Sequence, residues 1–158
     1  MSRVFLISDH HLSHKKILDF EAGRGGSTVD EHDEWIVAQH NSRVTKRDTV
    51  WFLGDVAFDP GALGKYLPRM EGTKHLILGN HDGYDLNLYL QYFRKVRAMQ
   101  PYKGGVLTHI PLHNSSLDRW DINYHGHIHS KTSPSAQHIN CCVEQCDGIP
   151  RTLEEWMS

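Results

Sequence analysis

The chain of 158 residues has the length of one domain and is long enough to bury a core without disulfide staples. Its 17 Lys and Arg against 19 Asp and Glu leave a net charge of -2, which excludes the global basic field of a nonspecific nucleic-acid binder. Thirteen histidines, dispersed rather than gathered in a tag, are the compositional outlier and suggest metal or proton chemistry.

Three cysteines, Cys141, Cys142 and Cys146, are odd in number and clustered, so a disulfide framework is not expected. A zinc reading of Cys142 and Cys146 lacks a second pair at fitting spacing. Reduced thiols fit better, and the expected location is cytoplasmic. The apolar run Val4 to Ile7 is too short for a signal or membrane segment, so no membrane partner is expected.

In chain order, residues 3–8 form an apolar run closing on Asp9-His10-His11, which reads as a buried strand with polar groups at its C-terminal end. In α/β proteins sites form at that end. A short helix over 14–20 and a glycine-rich loop over 21–27 follow. Thr28 and Glu31 form a capping-box start for a helix to about Ser42. A second buried strand over 49–53 closes on Gly54-Asp55, and Asp59-Pro60 opens another short helix. The third strand, 75–78, closes on Gly79-Asn80-His81-Asp82, and a helix follows over 86–92.

From Phe93 the period changes to two, with strands expected near 94–101, 106–109, 121–126 and 137–144 and a hairpin turn at Lys103-Gly104-Gly105. Residues 111–120 and 129–136 read as loops, and residues 151–157 as a C-terminal helix covering an edge. In a strand, His125, His127 and His129 would project to one side. Ile139, Cys141 and Val143 would likewise share a core face.

Strand ends therefore present Asp9 and His11, Asp55, Asn80 and His81, His109, and His127 with His129. Asp-x-His and Gly-Asp are common alone, and Gly-Asn-His-Asp is much rarer. Their conjunction in this order resembles the calcineurin-like metallophosphoesterase family, whose pattern runs Asp-x-His, Gly-Asp, Gly-Asn-His-Asp/Glu, a lone His and Gly-His-x-His. The match spans residues 9 to 129, with no motif residue missing.

The resemblance implies an α/β fold, a four-layer αββα sandwich of two mixed sheets flanked by helices, in a single domain over 1–158. It implies one metal held by Asp9, His11, Asp55 and His129 and a second by Asp55, Asn80, His109 and His127, with Asp55 bridging. Such a donor set suits two divalent transition metal ions, manganese first and iron, zinc or nickel after it. Metals about 3.5–4 Å apart hold an attacking hydroxide and neutralise phosphate. His81 looks like the general acid for the leaving group, with Asp82 as the partner that orients it or raises its pKa. His14 and His113 are candidates for phosphate contact, and His10 and His125 for structural roles.

The expected activity is phosphoester hydrolysis. A phosphodiester of nucleotide or nucleic-acid-end type is favoured over a monoester, because no inserted cap or arginine cluster is evident. A non-catalytic scaffold of the same fold is the minor alternative, and no obligate protein partner is expected.

Overall fold

A computed structural model describes all residues, Met1 to Ser158. Two mixed sheets pack face to face. The larger has the order β4-β3-β2-β1-β9, in which β1 (Val4–Ile7), β2 (Thr49–Phe52), β3 (Thr73–Ile77) and β4 (Lys95–Arg97) are parallel and β9 (Arg151–Thr152) is antiparallel to β1. The smaller runs β5 (Gln100–Tyr102), β6 (Gly105–Leu107), β7 (Asn123–His125) and β8 (His138–Asn140), with only the β5–β6 pair antiparallel.

Alternation along the strands sorts side chains into two cores. Phe5, Ile7, Val50, Phe52 and Leu76 face α2 (Val29–Asn41) and α3 (Pro60–Tyr66), contributing to a cluster of 20 buried residues. Leu6, Trp51, Leu53 and Ile77 face the small sheet and meet Leu107, Tyr124 and Cys141 in a cluster of eight. The far side of the small sheet is covered by loops and a 3-10 turn at Asn114–Ser116, so that outermost layer is thin. The short helices α1 (Ile17–Phe20), α4 (Leu86–Tyr89) and α5 (Leu153–Met157) complete the chain. No helix is long and apolar enough to cross a membrane.

Several expected boundaries shift for local reasons. The run 94–101 is two strands, because the chain leaves one sheet at Arg97 and enters the other at Gln100. Residues 137–144 hold a strand only to Asn140, whose side-chain oxygen accepts from Cys142 N at 3.1 Å and turns the chain into a 3-10 helix at Val143. Ile139 and Cys141 therefore lie on the inter-sheet core, while Val143 joins the helix-side core. The C-terminal segment begins as edge strand β9 before it becomes α5. The hairpin at Lys103 and Gly104 has positive φ at both positions (49° and 81°), the geometry of a tight turn between paired strands.

The cap of α2 is shared between two residues. Thr28 Oγ1 accepts from Glu31 N, but the Glu31 carboxylate reaches back to Ser27 N instead of Thr28. Helix α3 starts as its sequence suggests, with Asp59 accepting from Gly61 N and Pro60 in the first turn.

The two sheets join where the strands end. Beyond β1, Ser8 N donates to Cys141 O and Val143 N donates to Ser8 O, which ties the large sheet to the end of β8. Beyond β2, Gly54 O and Asp55 O accept from Asp9 N and His11 N. Parallel strands ending together thus bring their trailing loops to one edge of the sandwich.

Candidate metal centre

Seven of the polar residues singled out by the sequence converge at that edge. One group is Asp9, His11 and His129, a second is Asp55, His109 and His127, and within each group the donor atoms all lie within 4.8 Å of one another. Asp55 stands between them: its Oδ2 is 3.6 Å from His11 Nε2 and 3.3 Å from His109 Nε2. Asn80 Oδ1 completes the second group, 2.9 Å from His109 Nε2 and 3.1 Å from His127 Nδ1.

The backbone there is unusual. Asp9, His11, Asp55, His127 and His129 all have positive φ, between 51° and 74°. Left-handed conformations in non-glycine residues cost free energy and cluster where function holds them. The same geometry corrects the strand picture of these motifs. β1 stops at Ile7 and β7 at His125, so the ligand-type residues point together because of loop curvature and not because of strand alternation. His125 turns the other way, with Nδ1 2.8 Å from Gly126 O and Nε2 3.0 Å from Ser133 Oγ.

Gly126 is required by a close approach. A Cβ there would sit 2.0 Å from Ser8 Oγ and 2.3 Å from Asp9 Oδ2, and Asp9 Oδ2 accepts from His127 N at 2.8 Å. A Cβ on Gly79 would meet Asp55 Oδ1 at 2.3 Å. These two glycines let neighbouring loops close on the carboxylates.

Asp9 and Asp55 are almost fully buried (0% and 2% exposed), and surrounding imidazoles hold both carboxyls well below the usual range although burial alone would raise them. His109 shows the need for a cation most clearly. Its Nδ1 lies 2.7 Å from Leu53 O and donates to it, which leaves Nε2 facing two oxygens, those of Asp55 and Asn80. Burial opposes charge on the ring, yet the hydrogen bond to Asp55 and the charge of Asp9 push its pKa up to about 9. A proton or a divalent ion must fill this geometry, and the mixed carboxylate, amide and imidazole donors fit a first-row divalent metal.

The remaining candidates fall at different distances from this centre. His81 donates its backbone N–H to Asp55 Oδ1 at 2.9 Å, and its exposed ring rests against Phe58 (centroids 4.8 Å apart) with no hydrogen bond to the protein. His14 packs on Phe58 at 4.4 Å and lies 5.5 Å from the His11 ring, at the rim. His113 is not brought to the ligand groups; its Nδ1 accepts from Ser115 N at 3.2 Å and caps the 3-10 turn. His10 is buried against Phe52 at 4.4 Å, away from the ligands.

Asp82 requires a correction. Its Oδ2 accepts from Asp55 N and Gly79 N, both at 2.7 Å, and its Oδ1 accepts from Val56 N at 3.0 Å. Both oxygens are committed to main-chain donors, so Asp82 braces the loops after β2 and β3 and does not orient the His81 ring.

Sequence reasoning missed Arg24 and Glu144. Glu144 Oε1 lies 2.6 Å from His129 Nδ1, and Arg24 Nη2 is 2.7 Å from the same oxygen. Nothing in either one's local sequence marks it, since the two are separated by 120 positions.

The calcineurin-like phosphoesterase profile matches residues 2–156. The chain belongs to that family. An uncharacterized protein of Methanocaldococcus jannaschii is 30% identical over 168 residues, covering 98% of this chain and 89% of its own length. The gene 66 protein of Mycobacterium phage D29 is 28% identical, with 88% and 87% covered. The crystal structure of a protein of unknown function from Aquifex aeolicus superposes with a TM-score of 0.77 at 24% identity, over 98% of this chain and 97% of that one, and shows the same fold. A calcineurin-like phosphoesterase with two adjoining groups of side chains that could hold metal ions is what fold, profile and site describe together.

Proposed function

We propose that the protein is a phosphodiesterase using two divalent metal ions, manganese foremost, with Asp9, His11, Asp55 and His129 holding one and Asp55, Asn80, His109 and His127 the other. The observation that carries this reading is the place of Asp55, whose single carboxylate oxygen touches one imidazole from each group. Bound ions supply charge neutralisation for the phosphate and acidify an attacking water. The chain's own residues do the rest. His81, tethered through its main chain to Asp55 and with a free ring, donates a proton to the departing alkoxide oxygen. Phe58 backs that ring and limits where it can swing.

The preference for a diester rests on what surrounds the centre. A groove of about 360 Å³ that includes Asn80 and His109 is walled by Leu78, Ala98, Met99, Ile110 and Leu112, with no lysine or arginine. Arg24, the arginine behind the site, is spent on Glu144 and main-chain carbonyls. An organic substituent suits this surface better than a doubly charged terminal phosphate, which favours cationic forks. A nucleotide or nucleic-acid end is the substrate class we favour. We assign residues 1–158 to one domain and, on its three buried free thiols, to the cytoplasm.

Protein incubated with Mn2+ and freed of excess by gel filtration should retain up to two equivalents and cleave bis-p-nitrophenyl phosphate faster than p-nitrophenyl phosphate. No more than trace metal after exposure to Mn2+, Fe2+ or Zn2+ refutes the metal centre. A faster monoester reaction overturns the diester preference alone.

A further inference from the structure

Behind the first ligand group lies a buried polar chain that takes no part in the proposed reaction. Arg24, from the glycine-rich loop, is 5% exposed. Its Nη1 donates to His10 O at 2.7 Å and its Nη2 to Asp9 O at 2.5 Å, so the guanidinium grips the main chain on which Asp9 is carried. The same Nη2 meets the Glu144 carboxylate at 2.7 and 3.1 Å. Glu144 Oε1 then accepts from His129 Nδ1 at 2.6 Å, while the other ring nitrogen, Nε2, points to Asp9 Oδ1 at 3.5 Å. On its far side Arg24 Nη1 donates to His32 Nε2 at 3.2 Å, and His32 Nδ1 donates to Asp33 at 2.9 Å.

We propose that Glu144, held in place by Arg24, is a positioning residue that fixes the tautomer and orientation of His129 and makes the first metal position the tighter of the two. The inference rests on the dinuclear reading above. Its physical basis is an asymmetry between the two groups. His129 has an anionic hydrogen-bond partner, which orients a ligating imidazole and raises its donor strength. His109 leans on a neutral carbonyl of Leu53, the His127 nitrogen facing Asn80 looks into the site, and His11 Nδ1 is buried without a partner, so His129 alone of the four imidazoles leans on a carboxylate outside the ligand set. Arg24 and Glu144 also couple the elements involved, since one guanidinium secures the Asp9 main chain and the carboxylate secures His129. Glu21, 4.0 Å from His129 Nδ1, stands too far off to substitute without moving.

The full chain, stripped of metal, is titrated with Mn2+ against a chelating dye. Glu144→Ala should weaken one of the two equivalents about 10–100-fold and leave the other unchanged. In a His129→Ala background the same substitution should add nothing, because its effect runs through that ring. Glu144→Gln keeps an acceptor but no charge, so it should fall between wild type and Glu144→Ala; it carries the test if the alanine variant, with Arg24 left unpaired, does not fold. Equal weakening of both equivalents, or an additive loss in the His129→Ala background, would mean a general structural ion pair and overturn the proposal. Wild-type protein that takes up no Mn2+ would sink the dinuclear reading itself and this role with it, whereas two wild-type equivalents untouched by Glu144→Ala would sink this role alone.

Discussion

The five-stranded sheet is sealed on both faces, by helices on one side and by its partner sheet on the other, whereas the four-stranded sheet joins an apolar cluster on one face only. Its outer face instead holds Thr108, Asn123, His125 and His138 in a net of hydrogen bonds. The candidate ligand residues follow the same division. Strands of the sealed sheet deliver both carboxylates with His11, Asn80 and His81, while the half-sealed sheet delivers His109, His127 and His129. Buried anions need a site from which water is largely excluded and whose donors are fixed. His127 and His129 stand nearer solvent, whereas His109 is nearly as buried as the carboxylates. The edge where the sheets meet therefore combines a rigid anionic wall with a more open imidazole wall.

The largest expected effect comes from removing the residue that touches both walls. Asp55→Ala should lose at least one of two metal equivalents by elemental analysis and bring turnover below detection, because the imidazoles of His11 and His109 then share no anion. Retention of both equivalents would show that the walls bind independently.

His81→Ala should come next and act on chemistry alone. A general acid contributes about 10²–10⁴-fold, but only where the leaving group needs a proton. The variant should keep both metals and lose that factor on a nucleoside diester, while losing far less on bis-p-nitrophenyl phosphate, whose leaving group is a weak base. His127→Ala should impair both substrates together. Equal losses on the two substrates in His81→Ala would remove His81 from the proton-donor role.

Much of the site could be read because its signals are local. Apolar runs ending at Asp9, Asp55 and Asn80 announce parallel strands and their productive ends, and Gly126 next to His127 announces a close approach. The unread parts depend on distance or on backbone curvature. Arg24 and Glu144 look like ordinary loop charges until folding joins them. Asp82 follows His81 directly, which suggests a partnership, but the turn at Gly79 directs the carboxylate back onto main-chain donors. Positive φ at Asp9 and His127 is tolerated by Asp and His more than by most residues but is not dictated by them, so strand alternation wrongly grouped His125 with His127 and His129. The break at Ala98 and Met99 lacks any glycine or proline, and only the pairing of Gln100 with Leu107 reveals the change of sheet.

The helix side of the sealed sheet has a weakness that acid should expose. His40, 1% exposed on α2, donates Nε2–H to Glu71 O at 2.8 Å and has no partner for Nδ1. Burial pushes its pKa down from 6.5 to about 4. A lowered imidazole pKa means that the unfolded chain takes up the proton first, so this contribution is complete above pH 6.5 and is lost as pH falls from there towards 4. The loss amounts to at most about 3 kcal/mol. Buried His10, also held below the usual range by burial, acts in the same direction. Denaturant midpoints measured across this window should fall in wild type and fall less steeply in His40→Gln. An unchanged slope would mean that His40 gains solvent or a partner in solution.

The smallest effect tests the half-sealed sheet, where a hydrogen-bond net stands in for an apolar layer. Asn123 is fully buried; its Nδ2 donates to Thr108 Oγ1 at 2.9 Å and its Oδ1 accepts from Leu112 N at 2.8 Å. These bonds pin the loop after His109 to the middle of the sheet. Asn123→Ala leaves the Leu112 N–H without its acceptor and should cost about 1–3 kcal/mol, the range for orphaning a buried polar group. By contrast, Leu107→Ala on the opposite, apolar face should cost about 2–5 kcal/mol through lost burial and a cavity. Equilibrium unfolding of both variants checks the ranking. Because Asn123 touches no ligand, Mn2+ stoichiometry should survive its loss, while hydrogen exchange at Leu112 should quicken. If Asn123→Ala proved as costly as Leu107→Ala, the polar face would be holding the small sheet as firmly as the core does, and the difference between the two sheets would lie only in chemistry.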